Sequence, residues 1–316
     1  MKVAILGTWH VHAPGYTQTA QQLGEVTGVW EPDEAWKNAF ADKFGIKAYA
    51  TREELLADDI DGVIICSATD RHTEDVIAAA RAGKAIFIEK VLALSSTDCA
   101  RIRTEVEKAG VPFVISFPWK FNPGIMTAAS VAASGELGRI NFIRFRNCHT
   151  GSTGDWLPPH FYNAKQCGGG AMIDLGAHGM YIIEMLKGLP VSYASAFGRF
   201  CDKPSVLEKN RDAVEDNAVT AMTFADGCIA LNETGFVTTD CPVTLEVGGE
   251  TGYLTLVGNT LTRSTAVTGH KPTVTDLLPG QPAPIEQFMT GNLLPGCGLD
   301  DAEKLTIMME GAYGRR

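Results

Sequence analysis

Residues 80–90 read ARAGKAIFIEK: the end of a helical pattern, a glycine at position 83, four apolar residues and a charged pair. Gly83 is typical of the residue that follows a helix, and the apolar run has the length of a strand buried on both faces. A helix that leads directly into such a strand is the repeating unit of a parallel α/β sheet. The stretch therefore predicts alternating helices and strands, with Glu89 and Lys90 at the carboxyl end of one strand.

The same alternation extends through residues 1–118. Apolar runs predict strands, and helical patterns separate them; the strands are 3–6, 26–30, 63–66, 85–88 and 111–115, and the helices are 17–23, 34–44, 73–82 and 96–108. Strands that alternate with helices predict right-handed βαβ units. We therefore expect an α/β fold whose N-terminal domain, residues 1–118, is a Rossmann-type doubly wound parallel sheet.

The pattern changes in residues 119–316, which we expect to form a second domain. Helices are predicted at 124–134 and 174–186, and strands at 143–146, 219–224, 228–234, 243–247 and 254–257. The Asp226–Gly227 pair between two of these strands predicts a hairpin. A long loop is expected at 270–297 and a closing helix at 300–312. These signals predict an α+β domain with a large, mostly antiparallel, open sheet.

Composition excludes several classes of protein. The net charge of −10 argues against binding to nucleic acid or to anionic membranes, because both carry negative charge. The longest apolar runs have strand length, well short of the roughly 20 residues that span a bilayer. Eight scattered cysteines without a C-x-x-C pair, together with a first strand in place of a signal peptide, favour reduced thiols. We expect a cytoplasmic protein.

The loop after the first strand reads GTWHVH, residues 7–12, and only partly matches the G-x-G-x-x-G of dinucleotide-binding loops. Gly7 matches, whereas Trp9 and His12 stand at the second and third glycine positions. Glu31 lies at the end of the second strand, where an acidic side chain accepts hydrogen bonds from the adenine ribose. This context favours a dinucleotide loop. The alternative for Glu31 is a solvated loop charge.

The two histidines of this loop also suggest a metal site. The pair His10 and His12 resembles the start of an amidohydrolase site, which needs further His and Asp ligands after later strands of a barrel. The second half of the chain does not continue the βα alternation that a barrel requires. We therefore expect no metal, and we expect chelators to leave activity unchanged. The histidines would line a loop or lie near cofactor or substrate.

Three blocks of sequence resemble one family. Residues 67–74, SATDRHTE, and residues 80–90 resemble the T-P-x-x-x-H and A-x-x-x-G-K-x-x-x-x-E-K-P motifs of the glucose-fructose oxidoreductase/inositol dehydrogenase (Gfo/Idh/MocA) family. Residues 168–178, GGGAMIDLGAH, resemble its G-G-G-x-x-x-D-x-G-x-H. The resemblance extends from the first strand to the closing helix. Departures are Ser67 and Ala68 for Thr-Pro, Val91 for the final proline, and Lys120 where arginine is expected.

The resemblance implies hydride transfer between a nicotinamide cofactor and a secondary alcohol or ketone of a sugar, cyclitol or related polyol lying between the domains. NAD is expected rather than NADP, because Glu31 would repel a 2′-phosphate. Residues expected to bind the cofactor are Gly7, Thr8, Trp9, His10, Glu31, Ser67, Thr69, His72, Glu89 and Lys90. Residues expected to bind substrate are Lys90, Trp119, His160, Asp174 and His178.

Three of these residues are expected to be catalytic. The resemblance implies that His178 removes the hydroxyl proton and that Lys90 holds the reacting oxygen. Asp174, four positions before His178 on the predicted helix, would support the imidazole or bind a neighbouring hydroxyl. The alternative for Asp174 and His178 is a structural pair within the helix.

Two other functions remain open on the same fold. One is a glycosidase that uses a retained NAD to oxidise its sugar transiently, eliminate the aglycone and reduce the product again. The other is a non-catalytic protein that senses a nucleotide. A broad antiparallel sheet with one free face usually needs covering. We therefore expect a homodimer or homotetramer.

Overall fold

A computed structural model describes residues 1–315 as two compact units. The first contains residues 1–117 and 282–306, and the second contains residues 118–281 and 307–315. Each unit is built around one sheet. Among the described residues, no helix combines the length and the apolar character needed to cross a bilayer.

The sheet of the first unit is parallel and has six strands: β1 (Lys2–Leu6), β2 (Glu25–Trp30), β3 (Lys47–Ala48), β4 (Gly62–Ile65), β5 (Ala85–Ile88) and β6 (Phe113–Ile115). The strand order is β3-β2-β1-β4-β5-β6, with every neighbouring pair parallel. All residues of β4 and β5 are buried. The order of strands reverses between β1 and β4, which is where doubly wound sheets bind ligands. The predicted doubly wound fold is confirmed.

Five helices alternate with these strands: α1 (Ala13–Leu23), α2 (Glu34–Phe44), α3 (Arg52–Ala57), α4 (His72–Arg81) and α5 (Ser96–Ala109). The side chain of Asp33 caps the start of α2, and Gly45 ends it in the left-handed region at φ 64°. Strand β3 and helix α3 were not predicted. β3 has only two residues, both exposed, and therefore lacks an apolar run.

The second unit contains helices α6 (Pro123–Ala133), α7 (Ala164–Cys167), α8 (Ala171–Asp174), α9 (Gly176–Lys187) and α10 (Pro204–Lys209). Its eight strands are β7 (Ile140–Cys148), β8 (Ser192–Gly198), β9 (Asn217–Thr223), β10 (Ile229–Gly235), β11 (Thr244–Gly249), β12 (Tyr253–Val257), β13 (Thr260–Ser264) and β14 (Thr273–Thr275).

These strands form one sheet in the order β14-β13-β12-β11-β7-β10-β9-β8. Neighbours are antiparallel except for β7 and β10, which are parallel. Strands β9 and β10 form the predicted hairpin, with Gly227 at φ 86° in its turn. In β7, Ile143 and Phe145 are buried whereas Arg144 and Arg146 are not. Helix α9 packs against β7 and β10 and covers the apolar side.

Three predictions along the chain need correction. The helix expected at 174–186 is two segments, α8 and α9, separated by Leu175. The loop expected at 270–297 contains β14 and helix α11 (Pro284–Thr290). Residues 282–306, predicted to lie in the second domain, belong to the first unit, because α11 packs against α1 and β6. The closing helix is confirmed as α12 (Leu299–Ala312).

Candidate functional site

The loop after β1 passes very close to the loop after β4. Gly7 has φ 86°, and a Cβ atom on it would lie 2.5 Å from the backbone nitrogen and Cα of Ser67. The His10 N–H donates to the carbonyl of Cys66 at 3.0 Å. The Ser67 hydroxyl is buried and has no hydrogen-bond partner among residues 1–315. Only glycine fits position 7, because the two loops touch there. At this close approach of Gly7 to Ser67, which we call the seam, the Ser67 hydroxyl still lacks a hydrogen-bond partner within the described residues.

Glu31 follows β2 and turns its carboxylate towards this loop. The carboxylate accepts the Thr8 N–H at 2.7 Å and the Asp33 N–H at 3.3 Å. Glu31 is only 6% exposed, so it is not the solvated loop charge that the sequence left open. Helix α1 begins nearby at Ala13 without a side-chain cap on its N-terminus. These features match the phosphate and ribose positions of a dinucleotide fold.

Glu89, directly after β5, is the centre of a buried polar cluster. One carboxylate oxygen lies 2.7 Å from Nδ1 of His12 and 3.8 Å from Nδ1 of His10, and it also accepts the Tyr16 hydroxyl. The other oxygen accepts the Lys90 N–H at 2.9 Å. Burial alone would raise the pKa of Glu89, but the two imidazoles outweigh it and hold the pKa well below its usual range. Glu89 is therefore a buried charged carboxylate.

Tyr16 ties this cluster to the last strand of the sheet. Its hydroxyl contacts both Glu89 and the Ser116 hydroxyl, the latter at 2.8 Å. Burial, followed by the charge of Glu89, raises the pKa of Tyr16 well above its usual range. Tyr16 therefore remains a hydrogen-bond donor. Neither Tyr16 nor the pairing of His12 with Glu89 was anticipated, because Glu89 is 77 residues from His12 in the sequence.

His72 lies between the loops after β4 and β5. Its Nδ1 lies 2.8 Å from the Val91 carbonyl and its Nε2 lies 3.1 Å from the Ser67 carbonyl. Burial lowers the pKa of His72. A neutral ring donates to only one of these two carbonyls, and the predicted contact of His72 with a cofactor stays a prediction. Thr69 begins a short 3-10 helix, Thr69–Arg71, in the first of these loops.

Lys90 is 5% exposed and is the second residue after the end of β5. The peptide bond between Lys90 and Val91 is cis. Lys90 therefore lies at the carboxyl edge of the parallel sheet, as predicted from its position after a buried strand. The first unit brings together the predicted residues of the loops after β1, β4 and β5 at this edge.

The three consecutive motif glycines at 168–170 are explained by packing within the second unit. Gly168 adopts φ 81°, and a Cβ on Gly170 would collide with the carbonyl oxygen of Glu215. A Cβ on Gly169 would collide with the Tyr313 hydroxyl. The Glu215 carboxylate accepts the N–H groups of Gly170 and Met172, each at 3.0 Å. This tight junction fixes the start of α8, which carries Asp174.

His178 lies on α9, is 7% exposed, and has Tyr181 as its ring partner. Nδ1 of His178 is 2.8 Å from the Tyr181 hydroxyl, which also accepts the Trp119 N–H at 3.3 Å. Asp174 ends the preceding segment α8 and is half-buried. Tyr181 was missed, although its position three residues after His178 places both side chains on one helix face.

The remaining predicted substrate residues lie on two short 3-10 helices of the second unit. Trp119 is half-buried in the segment Pro118–Phe121 and reaches His178 through Tyr181. His160 is half-buried in the segment Pro159–Tyr162, where its carbonyl accepts the Cys167 thiol. Lys120, the departure from the expected arginine, is buried.

Comparison with curated proteins finds inositol dehydrogenases. Myo-inositol 2-dehydrogenase of Thermotoga maritima is 29% identical over 195 residues, which are 60% of this chain and 54% of that enzyme. The scyllo-inositol 2-dehydrogenase (NAD(+)) of Bacillus subtilis is 29% identical over 234 residues, 72% of this chain and 65% of that enzyme. The chain thus spans between half and two thirds of the length of these relatives.

Comparison with solved structures finds levoglucosan dehydrogenase in complex with NADH, with a TM-score of 0.83 and 17% identity. The match covers 99% of this chain and 96% of that one, and at this identity it shows the shared fold alone. Residues 1–117 match the oxidoreductase family with an NAD-binding Rossmann fold, and residues 125–255 match the GFO/IDH/MocA C-terminal domain. The chain belongs to the GFO/IDH/MocA oxidoreductase family.

Proposed function

We propose that the protein is an NAD-dependent oxidoreductase that transfers a hydride between the nicotinamide and a secondary alcohol or ketone of a sugar, cyclitol or related polyol. The observation that carries the proposal is the seam between Gly7 and Ser67, with the Glu31 carboxylate beside it. Folds of this kind bind a dinucleotide in the crevice where the strand order reverses.

The residues of the first unit fit a dinucleotide. The loop of Gly7, Thr8, Trp9 and His10 and the uncapped start of α1 would hold the pyrophosphate. Glu31 would accept the ribose hydroxyls, and the buried Ser67 hydroxyl, which lacks a partner, would gain one. The cofactor, when bound, supplies the hydride acceptor or donor. The chain supplies orientation and proton handling.

His178 is proposed as the general base or acid. The Tyr181 hydroxyl accepts the Trp119 N–H and retains a second lone pair for an Nδ1–H of His178. With its proton on Nδ1, the imidazole exchanges a proton with the substrate hydroxyl at Nε2. Tyr181 would thus select the tautomer that acts as a base. This arrangement supports a base over the purely structural pair considered for Asp174 and His178.

Lys90 is proposed to hydrogen-bond the reacting oxygen, and Asp174 to bind a neighbouring hydroxyl. An ammonium group stabilises the negative charge that develops on that oxygen as the proton leaves. Trp119 and His160 are proposed to contact the rest of the substrate. The alternative role of Asp174 is support of the imidazole. If Asp174 instead binds a substrate hydroxyl, its replacement should raise KM in the substrate screen described next.

The test is an absorbance screen for NADH formation or consumption over sugars, cyclitols and their keto forms. We expect turnover with at least one polyol and none with His178→Ala. A matched control, His270→Asn, changes an exposed histidine of the second unit and should retain full activity. Product release without net NADH would favour the glycosidase. Tight NAD binding without turnover on any compound would favour the nucleotide sensor.

Cofactor selectivity provides a separate test. We expect NAD to bind more tightly than NADP, because the Glu31 carboxylate would repel a 2′-phosphate. Glu31→Ala should reduce this preference, as measured by fluorescence titration with both cofactors. Tenfold tighter binding of NADP by the wild type, a difference of about 1.4 kcal/mol, would contradict the assignment.

We infer a cytoplasmic location and a homodimer or homotetramer, without nucleic-acid or membrane partners. All eight cysteines are free thiols, which supports a reducing compartment. The eight-stranded sheet exposes Phe197, Ile229 and Tyr253, each more than 40% accessible, which supports covering by a second copy. Light scattering should give at least twice the mass of one chain; a monomer at micromolar concentration would contradict the assembly.

A further inference from the structure

His10, His12 and Glu89 converge at the carboxyl edge of the parallel sheet, and the proposed hydride transfer requires neither imidazole. One ligand atom from each side chain lies within 4.8 Å of the other two. The Glu89 oxygen is 2.7 Å from Nδ1 of His12 and 3.8 Å from Nδ1 of His10. Ligands of a tetrahedral zinc ion, each about 2.0–2.2 Å from the metal, are roughly 3.3–3.5 Å apart. Side-chain shifts of about an ångström, which lengthen the shortest of these separations and shorten the longest, would bring the three ligand atoms to such distances.

The surrounding hydrogen bonds already hold the carboxylate in place. The Lys90 N–H donates to one oxygen of Glu89 at 2.9 Å, and the Tyr16 hydroxyl donates to the other. Outer partners of this kind are typical of metal-binding carboxylates, because they fix orientation before the ion arrives. Nδ1 of His10 accepts the His12 N–H at 3.2 Å, so that nitrogen carries no proton, and a metal ion would take its lone pair in place of this hydrogen bond.

We propose that His10, His12 and Glu89 bind one divalent transition-metal ion of the zinc class. Two imidazoles and one carboxylate form the donor set of open zinc sites and of the iron facial triad. The side chain of His12 is 48% exposed, whereas those of His10 and Glu89 are 7% and 1% exposed. The ion would enter from the His12 side, where a further coordination position faces solvent.

The third ligand, Glu89, is 77 residues from His12 in the sequence. A barrel site would need further His and Asp ligands after barrel strands, whereas Glu89 follows the fifth strand of a Rossmann sheet. The competing explanation is a plain ion pair between a protonated His12 and Glu89. An ion pair needs no metal, so metal affinity separates the two explanations. The site shares His10 with the loop proposed to hold the cofactor, but the metal titrations contain neither NAD nor substrate, so their outcome does not depend on the proposed oxidoreductase activity.

The test uses the full chain, treated with EDTA and dialysed, then titrated with Co²⁺ by visible absorption and with Zn²⁺ by calorimetry. We expect one ion per chain with a Kd below about 1 μM and displacement of Co²⁺ by Zn²⁺. His12→Ala and Glu89→Gln should each weaken binding by at least about tenfold. His270→Asn should bind within about twofold of the wild type. Zinc should raise the Tm of the wild type and not of His12→Ala.

Several results would overturn the proposal. The wild-type titration decides first: absence of a saturable cobalt band, or of one-to-one zinc binding, removes the site. Binding that His12→Ala leaves unchanged, or that His270→Asn weakens equally, assigns the metal to other residues. Circular dichroism on each variant checks folding. The side chain of His12 is half-exposed, so we expect its truncation to leave the unit folded, and the zinc titration of a folded His12→Ala then decides.

Discussion

Both units hold polar side chains at a buried site, but they do so with different hydrogen-bond partners. In the first unit a charged carboxylate, Glu89, is held by His12, Tyr16 and the Lys90 N–H. In the second unit a neutral hydroxyl, that of Tyr181, lies between the Trp119 N–H and Nδ1 of His178. A buried charge demands several partners at once, whereas a neutral hydroxyl is satisfied by one or two.

The two units also differ in how much of their glycine motif they keep. Trp9 and His12 replace two glycines of the dinucleotide loop, and the loop still forms beside Gly7. In the second unit, Gly169 and Gly170 each face atoms that would collide with a Cβ. A glycine in a motif is therefore indispensable where other atoms occupy the place of its Cβ, as at Gly7, Gly169 and Gly170.

The largest expected effect comes from removing the proposed catalytic group of either unit. Lys90→Met or His178→Ala should lower turnover by about 10²–10⁴-fold, because both act on one proton and one oxygen. The two losses should not multiply in the double variant. Steady-state kinetics and NAD titration measure both quantities, and NAD affinity should stay within about twofold.

Lys165→Met, a change of an exposed lysine, serves as the control for Lys90→Met. Near-normal turnover in either site variant would remove that residue from the mechanism. If His178→Ala lost folding and turnover together, the residue would be structural.

A pair of glycine substitutions tests the comparison of the glycines directly. Gly170→Ala should destabilise the second unit by about 1–3 kcal/mol, because the new methyl group collides with the Glu215 carbonyl. Gly15→Ala, within α1 and with nothing near its Cβ position, should stabilise by about 0.4–1 kcal/mol. Denaturant unfolding measures both. Equal effects of the two changes would contradict the packing argument.

Tyr181→Phe tests the contact between the Tyr181 hydroxyl and His178, and its expected effect is smaller. Loss of the hydroxyl should lower turnover by about tenfold, because Nδ1 of the imidazole loses its hydrogen-bond partner and the ring is no longer held in a single orientation. KM for the substrate should change little. The rate of the variant as a function of pH should also shift, since a hydrogen bond to the imidazole has been removed. An unchanged rate and pH profile would show that Tyr181 only fills space.

The smallest effect is a pH dependence of stability from His72 in the first unit. Burial lowers the pKa of His72 in the folded chain below its ordinary value of 6.5, so the unfolded chain binds the proton more readily. Stability from this residue is therefore complete above pH 6.5 and is lost as the pH falls towards the folded pKa. The slope is at most about 1.4 kcal/mol per pH unit.

Unfolding of the wild type and of His72→Asn between pH 7.5 and 5.5 measures this contribution. The variant should be less stable at pH 7.5 and should show a weaker dependence on pH. His270→Asn should keep the wild-type slope. A slope that survives intact in His72→Asn would assign the pH dependence to other groups.

Much of the fold followed from local patterns. The five longer strands of the parallel sheet, the glycine at the end of α2 and the hairpin at Asp226–Gly227 were all predicted, because burial and turn chemistry are written in neighbouring residues. The exposed strand β3 and the helix α11 were missed. Strand β3 has no apolar run. Helix α11 has Ile285, Phe288 and Met289 at helical spacing, but it is only seven residues long and lies in a stretch whose Pro and Gly residues predicted a loop.

Sequence by itself determined the order of the elements, the positions of Lys90 and Glu31 after their strands, and the motif glycines. Only the tertiary structure decided which side chains meet. It paired Glu89 with His12 across 77 positions, turned both nitrogens of His72 to main-chain carbonyls, and gave His178 the hydroxyl of Tyr181. Periodicity and turn chemistry act between near neighbours, whereas a hydrogen-bond partner depends on which loops the packed sheet brings to one edge.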